Sequence, residues 1–404
     1  MKSYKRTRWI VNGIAYFVLT FFALAMLFPF IYMLTTSLKE PKDTFNYPPR
    51  LLPRQDTLVA VEGFTVTLPL YYVTVAGQQQ AWALAQSNIR VGVYAEPTHL
   101  EKTYERQIKD VNPTGGATNQ TTVQLNGLAE PLWDVEVDGQ LVPMVVVRQT
   151  ALGRFVNPAD PKQEVLQNVR LSQPVQTLTA HPENYAEVVE LQGMDRSLTN
   201  TILVTTLVVI GQLATSVLGG YAFARLKFPG RDKLFVLYLG TIMIPFVVLI
   251  TPLYQLMVLI GWQDRIASLV IPWIFSAYGT FLMRQFFITV PKEIEEAALM
   301  DGASRLQILW RIFIPAAVPA LATQATFTFL YAWNSFFWPL VIINTGNTAN
   351  HVLTLSLNVL RGRASDSPNI ILAGAAISIL PPMIIYILAQ RFFVESATSS
   401  GVKG

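Results

Sequence analysis

The chain has 404 residues, no cysteine, 51% hydrophobic residues and only 14% charged residues, where an average soluble domain carries about a quarter charged. With a mean hydropathy of +0.37, this excludes a cytosolic enzyme as the default, and the missing cysteine excludes a disulfide framework, thiolate catalysis and thiolate metal ligation. The 30 Lys and Arg against 26 Asp and Glu give +4. They collect at the ends of apolar runs instead of forming a patch or stripe, so the expected environment is lipid and no nucleic-acid partner is expected.

In chain order, Lys2, Lys5, Arg6 and Arg8 precede an apolar run from Trp9 to about Leu34. It is longer than the roughly 7–15 residues of a signal-peptide core and is followed by no polar mature start, so it is expected to be a retained first span. A proline-rich stretch through Pro41, Pro48, Pro49 and Pro53 follows, and then the composition changes. Residues 54–179 are polar, with alternating segments at Thr65–Leu68, Ile89–Tyr94 and Trp133–Asp138. Asp138-Gly139 lies between two β-rich runs, which predicts antiparallel strands and a hairpin. Asn157-Pro158 and Asp160-Pro161 predict turns. A soluble β-rich domain is therefore expected here, inserted between an N-terminal piece, 1–53, and a membrane core, 180–404.

Apolar runs resume at about Thr199–Phe223, Leu234–Ile260, Ile266–Met283, Ile312–Ile343 and Ile370–Leu388. With the first run they make six expected transmembrane helices. The basic connections are the N-terminus, Arg225 to Lys233, Arg284 to Arg311, and Arg391 with Lys403; six spans put them all on one side. The positive-inside rule makes that side cytoplasmic, with both termini inside and the insert extracytoplasmic. Arg265, Arg361 and Arg363 fall on the outer side and run against the pattern. Prolines at 29, 245, 252, 272, 319, 339, 381 and 382 predict bent helices around a pathway, since freed carbonyls in a membrane need a neighbouring helix or a cavity.

No G-x-x-x-x-G-K-[ST] loop, G-x-S-x-G elbow or H-E-x-x-H occurs, so no nucleotide-binding loop, catalytic residue or cofactor is expected in this chain. His99, His181 and His351 lack metal-ligand spacing, and no metal site is expected. The informative segment is 291–311. Pro291 opens a short helix with Glu293, Glu295 and Glu296 where its dipole favours anions. Gly302 supplies a left-handed stop, and Arg305 to Arg311 restart a helix toward the next span. Ile294, Ala297, Ala298 and Leu299 give this knob an apolar side, suited either to a partner's groove or to the membrane surface.

Glu296-Ala297-Ala298, then Gly302, Ile312 and Pro315, resemble the EAA motif of ABC-importer permeases at matching spacing, with Ile314 where that family often has leucine. Further similar strings run in order: Thr36-Ser37-Leu38-Lys39, Asn184-Tyr185, Gly220-Tyr221-Ala222-Phe223-Ala224-Arg225 with Phe228-Pro229-Gly230, and Trp333 through Leu340. Together they look like the six-span partner in the maltose-type pair of the carbohydrate-uptake branch. The resemblance covers about residues 10–53 and 180–393.

The resemblance implies an all-α polytopic subunit of a binding-protein-dependent sugar importer in a bacterial cytoplasmic (inner) membrane. Its implied partners are a second permease chain, two ATPase chains that bind ATP and Mg, an extracytoplasmic sugar-binding protein, and lipid. Glu295, Glu296, Ala297, Ala298, Leu299, Asp301, Gly302 and Ala303 would form the helix that couples to the ATPase, with Glu296 contacting it across the interface. Tyr331, Trp333, Asn334 and Phe337 offer aromatic faces and an amide for a sugar pathway, or belong to a helix-packing surface. The insert departs from the family's short outer segment; docking of the binding protein is its expected role. A membrane receptor or scaffold, and a permease for a non-sugar solute, are the alternatives. An intramembrane enzyme is disfavoured because the spans hold no paired acids, His cluster or nucleophile constellation.

Overall fold

The computed structural model describes the chain except for residues 1, 76, 117–119, 126 and 402–404, and also leaves out the side chains of residues 2–7, 192 and 391–401. The chain divides into two compact units, Arg54–Thr179 and the remainder.

The first unit is antiparallel β-structure. Its main strands are β1 (Leu68–Val75), β2 (Gln78–Glu96), β3 (His99–Gln107), β4 (Thr122–Leu125), β5 (Leu128–Val137), β6 (Gln140–Asn157) and β7 (Asp160–Gln167). The long strands β2 and β6 pair with each other over Ala83–Ala95, with register shifts that bend the ribbon. Hairpin partners β1 and β3 flank β2, and β5 and β7 flank β6. The β5–β6 turn is Asp138-Gly139, both at positive φ (50° and 81°), which two-residue hairpins require. Pro158 and Ala159 turn β6 into β7. Residues 65–67 belong to no strand: Gly63 turns left-handed at φ 87° and the ladder starts only at Leu68. One core forms around Val73, Trp82 and Phe155, with Val61 and Val156 nearby; another forms around Tyr94, Val111, Val135 and Met144.

The second unit is helical: α1 (Lys2–Ser37), α2 (Glu183–Gln192), α3 (Met194–Arg225), α4 (Arg231–Gly240), α5 (Phe246–Leu259), α6 (Ile266–Val270), α7 (Ala277–Thr289), α8 (Lys292–Met300), α9 (Arg305–Ile308), α10 (Val318–Trp333), α11 (Phe337–Ile342), α12 (Leu353–Arg363) and α13 (Pro368–Gly401). Among the described residues, four helices are long and apolar enough to cross a membrane: Arg8–Ser37, Met194–Arg225, Ile266–Thr289 and Pro368–Gln390. Two further pairs meet that condition only together. The run expected over Leu234–Ile260 bends by 99° between Met243 and Phe246, and the segment leading into α10 bends by 79° at Ala317. Pro245 holds Ile244 out of the helical region, and Pro319 sits in the first turn of α10, where its missing N–H is tolerated. A π-helical turn over Leu309–Phe313 precedes the second bend, and the run expected to reach Ile343 is interrupted again between α10 and α11.

Polar ties fix the helix ends. Asn184 Nδ2 donates to the carbonyls of Ser37 (2.8 Å) and Lys39 (2.9 Å), and the Ser37 and Tyr185 hydroxyls meet at 2.8 Å. This accounts for both sequence strings: they join α1 to α2. The Lys39 ammonium donates to the Arg50 carbonyl. Burial lowers its pKa, partly offset by Asp43. At this end of α3, Asn200 Nδ2 donates to the carbonyls of Ala349 (3.0 Å) and His351 (2.8 Å).

Helix α3 packs along α7 through small residues. A Cβ on Gly220 would lie 2.5 Å from Met283 Cβ and 2.9 Å from the Arg284 backbone nitrogen, where no side-chain rotation relieves it. Gly220→Ala is expected to destabilise the protein by about 1–3 kcal/mol, read as a lower unfolding midpoint in detergent. An unchanged midpoint would contradict this α3–α7 contact.

Candidate functional site

The far end of α3 meets the knob anticipated at 291–311. Helix α8 stops at a Schellman turn: Gly302 N donates to Leu299 O and Ala303 N to Ala298 O, both at 3.0 Å, with Gly302 at φ 81°. Ser304 then caps α9 in a capping box with Gln307. The chain thus reverses within four residues.

The two faces of α8 differ in kind. Ala298, Leu299 and Ala303 pack inward against a core of Tyr221, Phe287, Ile308, Leu309 and Phe313. Glu295 also points inward and is 7% exposed. Its Oε2 lies 3.5 Å from Arg225 Nη1 and its Oε1 2.5 Å from Arg305 Nη1, with the Tyr221 hydroxyl donating at 3.5 Å. Arg225 also donates to the Phe287 carbonyl from Nη2 (2.5 Å) and Nε (3.2 Å), and from Nη2 to the Val290 carbonyl. Its guanidinium lies 5.0 Å from the Phe313 ring centroid. One side chain therefore satisfies carbonyls at the end of α7 that the helix leaves open and neutralises the carboxylate of α8.

Glu293, Ile294, Glu296, Ala297, Met300, Asp301 and Gly302 remain exposed, Met300 at 87%. Leu306 and Trp310 beyond the turn are exposed too. Of the residues expected to couple to an ATPase, Glu296, Ala297, Asp301 and Gly302 are thus presented outward, whereas Glu295, Ala298, Leu299 and Ala303 face the body of the unit. Sequence reading did not single out Arg225 and Arg305 as the partners of Glu295. A cation closing the last turn of an apolar span was the signal available.

The four residues expected to line a pathway separate as well. Tyr331 borders an open cavity of about 780 Å³. Trp333 is 3% exposed, stacks on Phe329 and donates from Nε1 to the Ser378 carbonyl at 3.0 Å, so it packs helices together. Asn334 caps α10, its Nδ2 donating to the Leu330 carbonyl at 2.8 Å, and Phe337 is half exposed; neither borders that cavity. Trp338 is buried with its Nε1 on the Ser268 carbonyl at 2.8 Å. With Trp333 it encloses a space of only about 20 Å³, enough for about one water.

The open cavity has aromatic walls, Phe246, Trp273, Phe275, Tyr278, Phe327 and Tyr331, and a polar side from Gln212, Ser276, Gln324 and Thr328. Gln212 Nε2 donates to the Trp273 carbonyl at 3.1 Å while its Oε1 accepts from the Thr328 hydroxyl. Gln324 Nε2 donates to Ser216 Oγ at 2.7 Å. These amides hold α3 to α10 across the membrane-type core. Gly279 on α7 leaves them room, since a Cβ there would lie 2.2 Å from Gln324 Nε2. Sequence reading missed this set because its members are spread over α3, α5, α7, α10 and the segment between α6 and α7.

Trp333→Ala is expected to cost about 3–5 kcal/mol of stability, whereas Tyr331→Ala should leave the unfolding midpoint near the parent's and alter solute passage. The two midpoints in detergent check this. Equal losses would remove the distinction between packing and lining.

Residues 216–398 match the family described as "Binding-protein-dependent transport system inner membrane component". The arabinooligosaccharides transport system permease protein of Halalkalibacterium halodurans is 34% identical over 205 residues, covering 51% of this chain and 73% of that protein. The sn-glycerol-3-phosphate transport system permease protein of Rhizobium meliloti is 32% identical over 234 residues, covering 56% and 83%. A chain from the crystal structure of a bacterial ABC transporter involved in the import of the acidic polysaccharide alginate aligns with a TM-score of 0.47 at 27% identity, covering 55% of this chain and 81% of that one. The matched region takes in the α7–α10 knob and the greater part of the cavity lining, and with relatives at this identity over most of their length the chain belongs to the family of inner-membrane permease components of binding-protein-dependent transport systems.

Proposed function

We propose that this chain is one half of the membrane pore of an ABC importer that carries a sugar or oligosaccharide inward. The observation that carries this reading is the α8 knob, a short helix pinned from beneath and presenting Glu296, Ala297 and Met300 outward. A chain without a nucleotide loop must receive its driving force from elsewhere, and a firmly seated helix whose exposed face mixes acids with Ile294, Ala297 and Met300 is a suitable receiver. Two ATPase subunits binding ATP and Mg, and a second permease chain, complete the assembly in this proposal.

Six spans follow if each bent helix pair crosses the membrane once. Arg225, Arg231 and Lys233 then share one end of the unit with Lys292, Arg305 and Arg311, and the positive-inside rule makes that end cytoplasmic. Both termini are then inside and residues 54–179 outside, where they receive the binding protein. The sugar class rests on the aromatic walls and amide side of the open cavity, chemistry suited to C–H faces and hydroxyls. Relatives named for arabinooligosaccharides and for sn-glycerol 3-phosphate share this scaffold. Among the lining residues named above none is charged, which favours a neutral solute over a phosphate ester. Closure of the ATPase pair would move the knob, and the broken helices would open the cavity to the outer face.

Co-purification after mild solubilisation tests the reading. The intact chain is expected to retain its ATPase subunits, and a Glu296→Lys, Gly302→Pro variant to lose them. The lysine reverses the exposed charge, and proline can neither adopt φ 81° nor donate to Leu299 O. Deleting residues 54–179 should leave the ATPase bound and weaken capture of the binding protein. An intact chain with no ATPase would favour a receptor or scaffold, and undiminished capture by the deletion would remove the role given to the β unit.

A further inference from the structure

A docked helix transmits a push only if it cannot slide over the surface beneath it. The inward apolar contacts of α8 are small: Ala298, Leu299 and, beyond the turn, Ala303. The remaining restraint is ionic. Of the three acids in Glu293-Ile294-Glu295-Glu296, only Glu295 is buried. Its carboxylate is held by Arg225 from the last turn of α3 and by Arg305 from the far side of the Gly302 turn. Arg225 simultaneously holds the Phe287 and Val290 carbonyls where α7 ends. A single guanidinium therefore ties together the ends of α3 and α7 and the start of α8.

Both tied helices reach the open cavity. Gln212 lies thirteen residues before Arg225 on α3, about 20 Å along the helix, and Ala277 and Tyr278 open α7. Resting on the assignment of the knob as the ATPase dock, we propose that Glu295 is a positioning residue: it locks α8 to Arg225, so that displacement of the knob displaces α3 and α7 and with them the cavity wall. Glu296, one residue on, belongs to the docking face, and the two adjacent acids divide docking from transmission.

The absence of native cysteine permits a test that needs no identified solute. Tyr278→Cys places one thiol on the cavity wall, and its maleimide labelling rate is followed in proteoliposomes of the whole complex, with and without ATP plus vanadate. In the Tyr278→Cys parent the rate is expected to change by about fivefold or more on trapping. Adding Glu295→Gln should abolish that change while ATPase subunits co-purify at the parent level and still hydrolyse ATP. Arg305→Gln, at a half-exposed side chain and with the Arg225 contact to Glu295 kept, should reduce the change with docking intact; it decides the matter if Glu295→Gln fails to accumulate. Parent-like labelling in these variants would overturn the proposal, and so would loss of ATPase binding in Glu295→Gln, which would make Glu295 a docking residue. A Tyr278→Cys parent that retains no ATPase would instead remove the underlying assignment of the knob, and the proposal with it.

Discussion

A carboxylate withdrawn from water beneath a short surface helix is stable only with cations beside it, and the end of the helical unit that carries α8 is arranged around that requirement. Glu295 brings Arg225 and Arg305 together, and Arg225 in turn gathers the loose carbonyls at the end of α7. The Arg225 guanidinium lies over Phe313 in an aromatic cluster with Tyr221 and Phe287. Removing a cation would leave the buried carboxylate less compensated, so the knob's seat depends on this charge group together with the packing of Ala298, Leu299 and Ala303.

The rest of the helical unit shows the complementary use of polarity. Prolines break two of the apolar runs, and the break at Ile244–Pro245 borders the open cavity. Amides from α3 and α10 bond across one side of it, Gln212 to the Thr328 hydroxyl and the Trp273 carbonyl and Gln324 to the Ser216 hydroxyl. The glycines of α3 and α7 let the backbones approach closely enough for that pairing. Apolar packing around Val208, Trp338 and Leu355 lies toward the opposite end of α3. Rigid ends with a broken, partly polar middle suit a body that must move as a lever around a solute path.

Local features were legible in the sequence. Asp138-Gly139 could turn only one way between alternating segments, and Gly302 stood where a helix with an acidic first turn had to stop. The apolar runs located the membrane-type helices because nothing else in the chain has that length and composition. Partnerships across the fold were less legible. Three acids in four residues look equivalent until α8 is rotated against the core, and only then does Glu295 separate from Glu296. The aromatic string at Trp333–Trp338 left open a sugar pathway or a helix-packing surface, and in the structure its tryptophans donate to backbone carbonyls and pack helices. The cavity lining comes from Gln212, Trp273, Gln324 and Tyr331, residues on separate elements that no local pattern links. Prolines announced bends without fixing their angles.

Docking and transmission are divided on α8 only if its outward face meets the ATPase. Single cysteines placed in turn at 293, 295, 296, 297, 298, 299 and 300, each carrying a photoactivatable cross-linker in the purified complex, would read that face from its helical period. Cross-links to the ATPase subunit from 293, 296, 297 and 300, with none from 295, 298 and 299, is the expected pattern. Cross-links from the 295, 298 and 299 side, or none from any position, would contradict it.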